Sequence, residues 1–98
     1  MVRRGEVFWV NLDLTIGTEI KKTRPASVVS PDDMNVALPR VIIAPLTSQG
    51  VALGCRPEVK FAGKSARILL DQLRSVDKRR LGEKMGVIDA KKMASIIA

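Results

Sequence analysis

The chain has 98 residues, 46% of them apolar, which is the length of a single domain with a modest core. Its 17 Lys and Arg outnumber its 10 Asp and Glu, so the formal net charge is +7. A surplus of this size favours polyanionic partners, with nucleic acid first and an acidic protein second. A basic protein whose charge serves only solubility is the alternative.

Several classes of protein are excluded by what the sequence lacks. It has no apolar run of about 18 residues, so we predict no membrane span. Its one cysteine, Cys55, cannot form an internal disulfide, which fits the cytoplasm. With no histidine and one cysteine a zinc site is excluded. A carboxylate site for magnesium at Asp32 and Asp33 stays open, but adjacent aspartates usually mark turns, so we predict no metal and no cofactor.

Short apolar runs separated by turn residues predict a mainly β domain over residues 1–98. The predicted strands are residues 6–12, 26–30, 40–46, 56–61, 66–70 and about 84–88. In the first strand, alternation places Phe8, Val10 and Leu12 on one face, and we expect Trp9 to pack in the core. Pro45 cannot donate to a ladder, so the third strand should end or bulge near it.

Two aspartates predict helical turns near the end of the chain. Asp77 can cap a turn that runs through Leu81, and Asp89 can cap a helix that begins at residue 90. Met93, Ile96 and Ile97 form an apolar stripe on that helix, which we expect to dock on the sheet. The strands and the helix together predict a small, strongly curved antiparallel sheet, or half-barrel, with a short C-terminal helix.

Two loops carry the side chains best suited to chemistry. Residues 13–24 form a long polar connection, and long loops in compact domains are often functional. This loop ends at Arg24, whose fork of donors matches a phosphate and which precedes Pro25 in extended backbone. Thr47, Ser48 and Gln49 follow the third strand. If the second and third strands are antiparallel neighbours, Arg24 and Thr47 meet at one edge and form a phosphate clamp.

The stretches RGEVFWVNLD, GTEIKKTRPASVVSP, APLTSQ and LLDQLRSVDKRRLG resemble the MazF/PemK family of toxin–antitoxin ribonucleases, over about residues 4–97. The resemblance implies a CcdB/PemK-type barrel, a homodimer and an acidic MazE-like antitoxin. It implies sequence-specific, metal-independent cleavage of single-stranded RNA, including mRNA, which inhibits translation and growth. The 2′-hydroxyl would attack, leaving 2′,3′-cyclic phosphate and 5′-hydroxyl ends.

The resemblance also assigns residues. It implies that Arg24 and Thr47 form the catalytic pair, and that Glu19 is an acidic position linked to activity. Asp71 matches an aspartate that some relatives use, but the arginine expected two residues earlier is Leu69, so we interpret Asp71 as structural. The candidates for RNA contacts are Lys21, Lys22, Thr23, Pro25, Ser48, Gln49, Arg56, Arg74, Lys78, Arg79 and Arg80.

Two other functions stay open at this point. One is a gyrase poison of the CcdB kind, which shares the fold but works through a C-terminal Trp-Gly-Ile; the last residues here are SIIA, and the only tryptophan is Trp9. The other is a non-catalytic module that binds nucleic acid or a partner. The presence of Arg24 and Thr47 favours the ribonuclease over both.

Overall fold

A computed structural model describes residues 2–11, 23–48 and 54–97. Within these ranges, one antiparallel sheet is accompanied by two helices, α1 (Asp32–Ala37) and α2 (Ala90–Ile97). The strands are β1 (Glu6–Asn11), β2 (Thr23–Val28), β3 (Arg40–Thr47), β4 (Glu58–Phe61), β5 (Lys64–Ile68), β6 (Arg74–Asp77) and β7 (Leu81–Val87).

The sheet curls on itself. Its order is β4-β5-β3-β2-β1-β7, and β6 pairs with the first half of β3 while β5 pairs with the end of β3. The two ends of this order approach each other, since a Cβ on Gly86 of β7 would lie 3.1 Å from the Cβ of Ala62, the residue after β4. The predicted half-barrel with a C-terminal helix is therefore confirmed.

Both faces of the curled sheet are packed with buried apolar side chains. The cluster that α2 covers contains Val7, Val29, Ala44, Leu46, Val59, Phe61, Ala66, Ile68, Ile88 and Met93. The other cluster contains Val10, Ala26, Val28, Val41, Ile43 and Val76.

The helix α2 begins as predicted. Asp89 Oδ2 accepts hydrogen bonds from the backbone N–H groups of Lys91 (3.1 Å) and Lys92 (3.3 Å). Met93 is buried and Ile96 packs against the same core. Ile97 is 36% exposed, so its expected docking is wrong. Of the predicted three-residue stripe, Met93 and Ile96 pack against the sheet and Ile97 does not.

The prediction that Trp9 packs in the core is also wrong. Val7 and Val10 are fully buried and Phe8 is half-buried, whereas Trp9 is 38% exposed. The pairing of β1 with β7 shifts register between Val7 and Phe8 and again between Phe8 and Val10. Alternation along β1 nevertheless holds, since Phe8 and Val10 pack against one cluster, as predicted, and Val7 packs in the other.

Three elements were not predicted, and several boundaries differ by up to three residues. The sequence pattern missed α1, β6 and the 3₁₀ turn at Leu70–Gln72, which are short. β3 continues past Pro45 to Thr47 instead of ending there, but its partner on one side changes from β6 to β5 across Pro45. The turn at Asp77 is present as a 3₁₀ turn, in which Asp77 Oδ1 accepts from the backbone N–H of Arg79 (2.8 Å).

Candidate active-site cleft

Arg24 and Thr47 reach one cleft from two strands. β2 and β3 are antiparallel, and Ala26 is paired with Pro45. The same register places Arg24, two residues before Ala26, opposite Thr47, two residues after Pro45. Both side chains line a cleft of about 390 Å³. The structure therefore brings the two predicted catalytic residues together at the edge where antiparallel pairing places them.

The cleft has a polar rim and an apolar floor. The rim residues are Arg24, Thr47, Ser48, Lys64 and Ser65, and the floor residues are Trp9, Pro25, Leu46, Phe61, Ala66 and Met85. Among the described residues that line it, two are basic and none is acidic. A cleft with this lining suits a ligand that carries both negative charge and apolar surface.

Lys64 and Ser65 were not among the predicted site residues, and a tight turn positions them. β4 and β5 are joined by Ala62 and Gly63, whose φ angles are +49° and +76°. Positive φ at both central residues is typical of a type I′ hairpin turn. Lys64 directly follows this turn. The only signal in the sequence was a lysine between the strands predicted at 56–61 and 66–70.

The other predicted RNA contacts are divided between this cleft and the rest of the surface. Pro25 and Ser48 line the cleft. Thr23 is exposed at the start of β2, opposite Asn11. Glu19, Lys21, Lys22 and Gln49 lie outside the described residues.

Arg56 is engaged elsewhere. Its guanidinium donates two hydrogen bonds to the Asp71 carboxylate, at 3.1 Å and 2.9 Å. This hydrogen bonding raises the pKa of Arg56 and lowers the pKa of Asp71. Asp71 thus joins Arg56 to the 3₁₀ turn at Leu70–Gln72, in keeping with a structural role.

The remaining basic candidates lie apart from the Arg24 cleft. Arg74 is in β6, opposite Ile43. Lys78 and Arg79 belong to the 3₁₀ turn that follows β6, and Arg79 is paired with Asp77, whose pKa this hydrogen bonding lowers. Arg79 lines a second cleft together with Asn11, Arg40, Asp77 and Arg80.

The acidic pair considered for magnesium serves the start of α1. Asp32 Oδ1 accepts from the backbone N–H of Arg4 (2.7 Å), and Asp33 Oδ1 accepts from that of Met34 (2.8 Å). Across residues 2–11, 23–48 and 54–97, no three Cys, Asp or Glu side chains are grouped so that they could hold a metal ion. In the same ranges no helix has the length and apolar character needed to cross a membrane.

The fold and the cleft describe a small basic protein in which the cleft at Arg24 and Thr47 suits a phosphate-bearing ligand. Residues 3–98 match the family described as PemK-like, MazF-like toxin of type II toxin-antitoxin system. The chain is also 32% identical over 102 residues to the Endoribonuclease MazF of Staphylococcus saprophyticus, covering 98% of this chain and 85% of that protein.

Solved structures agree with this match. MazF from Deinococcus radiodurans superposes with a TM-score of 0.76 at 28% identity, covering 96% of this chain and 87% of that one. A mycobacterial endoribonuclease in complex with its cognate antitoxin has the same fold, with a TM-score of 0.79 at 21% identity and coverage of 98% and 87%. The chain therefore belongs to the PemK-like and MazF-like toxin family, and it is a MazF-type endoribonuclease toxin of a toxin–antitoxin system.

Proposed function

We propose that this toxin cleaves single-stranded RNA, including mRNA, at short specific sequences, without a metal ion, and so inhibits translation and growth. Arg24 and Thr47 are the catalytic pair. The observation that supports this proposal is that both residues, from separate strands, line the same cleft with a basic rim. A guanidinium and a hydroxyl at one point can hold the two non-bridging oxygens of one phosphodiester.

The reaction needs no external nucleophile. The 2′-oxygen of the preceding ribose forms a bond to phosphorus and loses its proton, and the bond from phosphorus to the 5′-oxygen breaks as that oxygen gains a proton. The products are a 2′,3′-cyclic phosphate and a 5′-hydroxyl. Because the substrate supplies its own nucleophile, holding the ribose and phosphate in line contributes much of the rate.

The enzyme stabilises the charge that develops on the phosphoryl oxygens. Arg24 donates to these oxygens in the transition state, and donors placed in this way are commonly worth about 3–4 kcal/mol. The Thr47 hydroxyl donates to a second oxygen. Neither contact requires a metal ion, because the charge is balanced by the guanidinium.

Proton transfer is the demanding step for a chain without histidine. Histidine is the most common acid and base at neutral pH. In its place, Glu19, the acidic position that the resemblance links to activity, takes the 2′-hydroxyl proton, and Arg24, which the resemblance implies as the acid, donates to the leaving oxygen. An arginine holds its proton tightly and therefore donates it slowly. We therefore expect a slow enzyme that depends on binding its sequence well.

The RNA extends beyond the cleft onto the basic surface. Its phosphates contact Lys21, Lys22, Thr23, Arg56, Arg74, Lys78 and Arg79, and the scissile nucleotide contacts Pro25, Ser48 and Gln49. The same positive surface binds the acidic segment of a cognate antitoxin, which blocks RNA. Related MazE-MazF structures from Deinococcus radiodurans, at 29% identity, support this partner. The toxin acts in the cytoplasm as a homodimer.

The test is cleavage of a broad library of single-stranded RNA in the presence of EDTA. The wild type is compared with Arg24→Ala and with Arg3→Ala, which removes the same charge at an exposed position that does not line the cleft. We expect cleavage by the wild type and Arg3→Ala, none by Arg24→Ala, and cyclic phosphate ends on mapping. Intact RNA across the whole library, or equal cleavage by Arg24→Ala, would contradict the proposal.

A further inference from the structure

Trp9 exposes part of its ring within the cleft, although its strand is central. β1 is paired with β2 on one side and with β7 on the other, so the backbone of Trp9 is held rigidly. Its Cα pairs with Pro25, the residue after Arg24, and its side chain lines the cleft while remaining 38% exposed. An indole is a large apolar surface, and leaving it in water loses much of the stabilisation that burial would provide. A flat group that binds on the indole would recover this stabilisation.

The backbone of Trp9 is closely packed against β7. Gly82 of β7 lies beside it, and a Cβ there would come within 3.0 Å of the Trp9 carbonyl oxygen and 3.5 Å of its Cβ. Any larger residue at Gly82 would therefore press on Trp9. Gly82 thus allows β7 to hold the strand segment from which the indole reaches the cleft.

The surroundings of the indole suit a nucleobase joined to a phosphate. The floor next to it contains the buried side chains Leu46 and Phe61, and the rim carries Arg24 and Lys64. No described lining residue is acidic, so none of these residues repels a phosphate. A flat heteroaromatic ring can lie on the indole while its phosphate reaches Arg24.

We propose that Trp9 is a stacking platform for the nucleobase adjacent to the scissile phosphate, which makes it a positioning and specificity residue of the cleft. This inference rests on the proposed cleavage of RNA. An apolar side chain of an acidic protein could also lie on the indole. RNA is favoured because the nucleotides that flank each phosphate of a single strand carry bases. Proteins that bind single-stranded RNA stack such bases on aromatic side chains.

Because Trp9 is the only tryptophan, its fluorescence reports this contact directly. The site that the wild type cleaves is mapped first. An oligonucleotide with that site and a 2′-deoxy sugar at the attacking position then binds without being cleaved. We expect binding to quench Trp9 fluorescence, and replacement of one base next to the scissile phosphate by an abasic site to remove the quenching.

Substitutions separate stacking from apolar contact, with affinity measured on labelled RNA. Trp9→Ala and Trp9→Leu are expected to bind about 5- to 150-fold more weakly, while Trp9→Phe retains most of the affinity. The abasic oligonucleotide should bind Trp9→Ala and wild type equally, since the contact is already lost. Leu38→Ala, at an apolar residue that is 47% exposed outside the cleft, is the control for surface change, and circular dichroism checks folding.

The outcomes distinguish this inference from the function on which it rests. Unchanged fluorescence at saturation, with Trp9→Ala binding as the wild type does, overturns stacking while cleavage stands. Normal RNA binding by Trp9→Ala with weakened binding of the purified cognate antitoxin assigns the indole to the protein partner and also overturns it. A wild type that neither cleaves nor binds RNA refutes the proposed function and this inference with it.

Discussion

The strongest test of the cleft is whether Arg24 and Thr47 act on the same phosphate. Thr47→Val removes the hydroxyl and keeps both the shape and a residue suited to a strand. Arg24→Lys keeps the charge and removes the fork. Each change removes one donor to developing charge, and such a loss typically slows the chemical step about 10²- to 10³-fold.

The register decides how the two losses combine. Ala26 is opposite Pro45, so Arg24 and Thr47 are opposite each other, and both line the cleft. Two donors to one phosphate act as a unit, so the double variant is expected to be little slower than the slower single variant. If they acted on separate groups, the double loss would instead multiply to about 10⁴- to 10⁶-fold.

The assay is single-turnover cleavage of a labelled oligonucleotide with the enzyme in excess, which separates the chemical step from product release. Thr47→Ser is the control, because it keeps the hydroxyl and should stay within about tenfold of the wild type. Multiplicative losses in the double variant would refute a shared phosphate. Wild-type rates in Thr47→Val would remove Thr47 from the mechanism.

Two further predictions concern the rim and the stability of the fold. Lys64→Gln is expected to raise KM and to reduce the slope of log affinity against log salt by about 0.7. Lys60→Gln, on the same hairpin but outside the cleft, is the control and should leave both quantities unchanged. Equal effects of the two substitutions would exclude Lys64 as a phosphate contact. The buried Glu6 carboxylate accepts hydrogen bonds from Lys84 Nζ (2.6 Å) and from the backbone N–H of Arg3 (2.7 Å). Burial acts to raise the pKa of Glu6, but these hydrogen bonds outweigh burial and hold the pKa below 4.5. The stabilisation by Glu6 is therefore present above pH 4.5 and lost as the pH falls through the lowered pKa. Glu6→Gln should cost about 1 kcal/mol of unfolding free energy at neutral pH, and this cost should shrink as the pH falls through the lowered pKa, measured by denaturant unfolding across the acid range. A cost independent of pH would show that the charge does not stabilise the fold.

The juxtaposition of Arg24 and Thr47 could be predicted because it requires only that β2 and β3 pair antiparallel. Two neighbouring antiparallel strands place the start of one beside the end of the next, whatever the rest of the sheet does. The helix α2 was equally accessible, since Asp89 is a strong capping residue next to an apolar stripe. Such features are encoded within one segment or between two consecutive ones.

The features that were missed depend on contacts between distant segments. Trp9 is partly exposed in a cleft whose other residues come from strands far along the chain, among them β5 and β7, and alternation within β1 carries no sign of that cleft. The helix α1 has six residues, too few for a periodic pattern. It is held by Asn35, which is buried and whose side chain donates to the Ser30 carbonyl (3.0 Å).

The cleft is therefore a product of the curl of the sheet. Its lining comes from six strands, with Trp9 on β1, Arg24 on β2, Thr47 on β3, Phe61 on β4, Lys64 on β5 and Met85 on β7. β5 and β7 are separated in the sheet order by three strands, and they share the cleft because the turn after β4 packs against β7 at Gly86. A chain without histidine can still assemble a site for phosphate chemistry, because folding brings together side chains that have no special reactivity alone. Closure of the half-barrel is thus a condition for the cleft that Arg24 and Thr47 line, and for the phosphate contacts proposed for them.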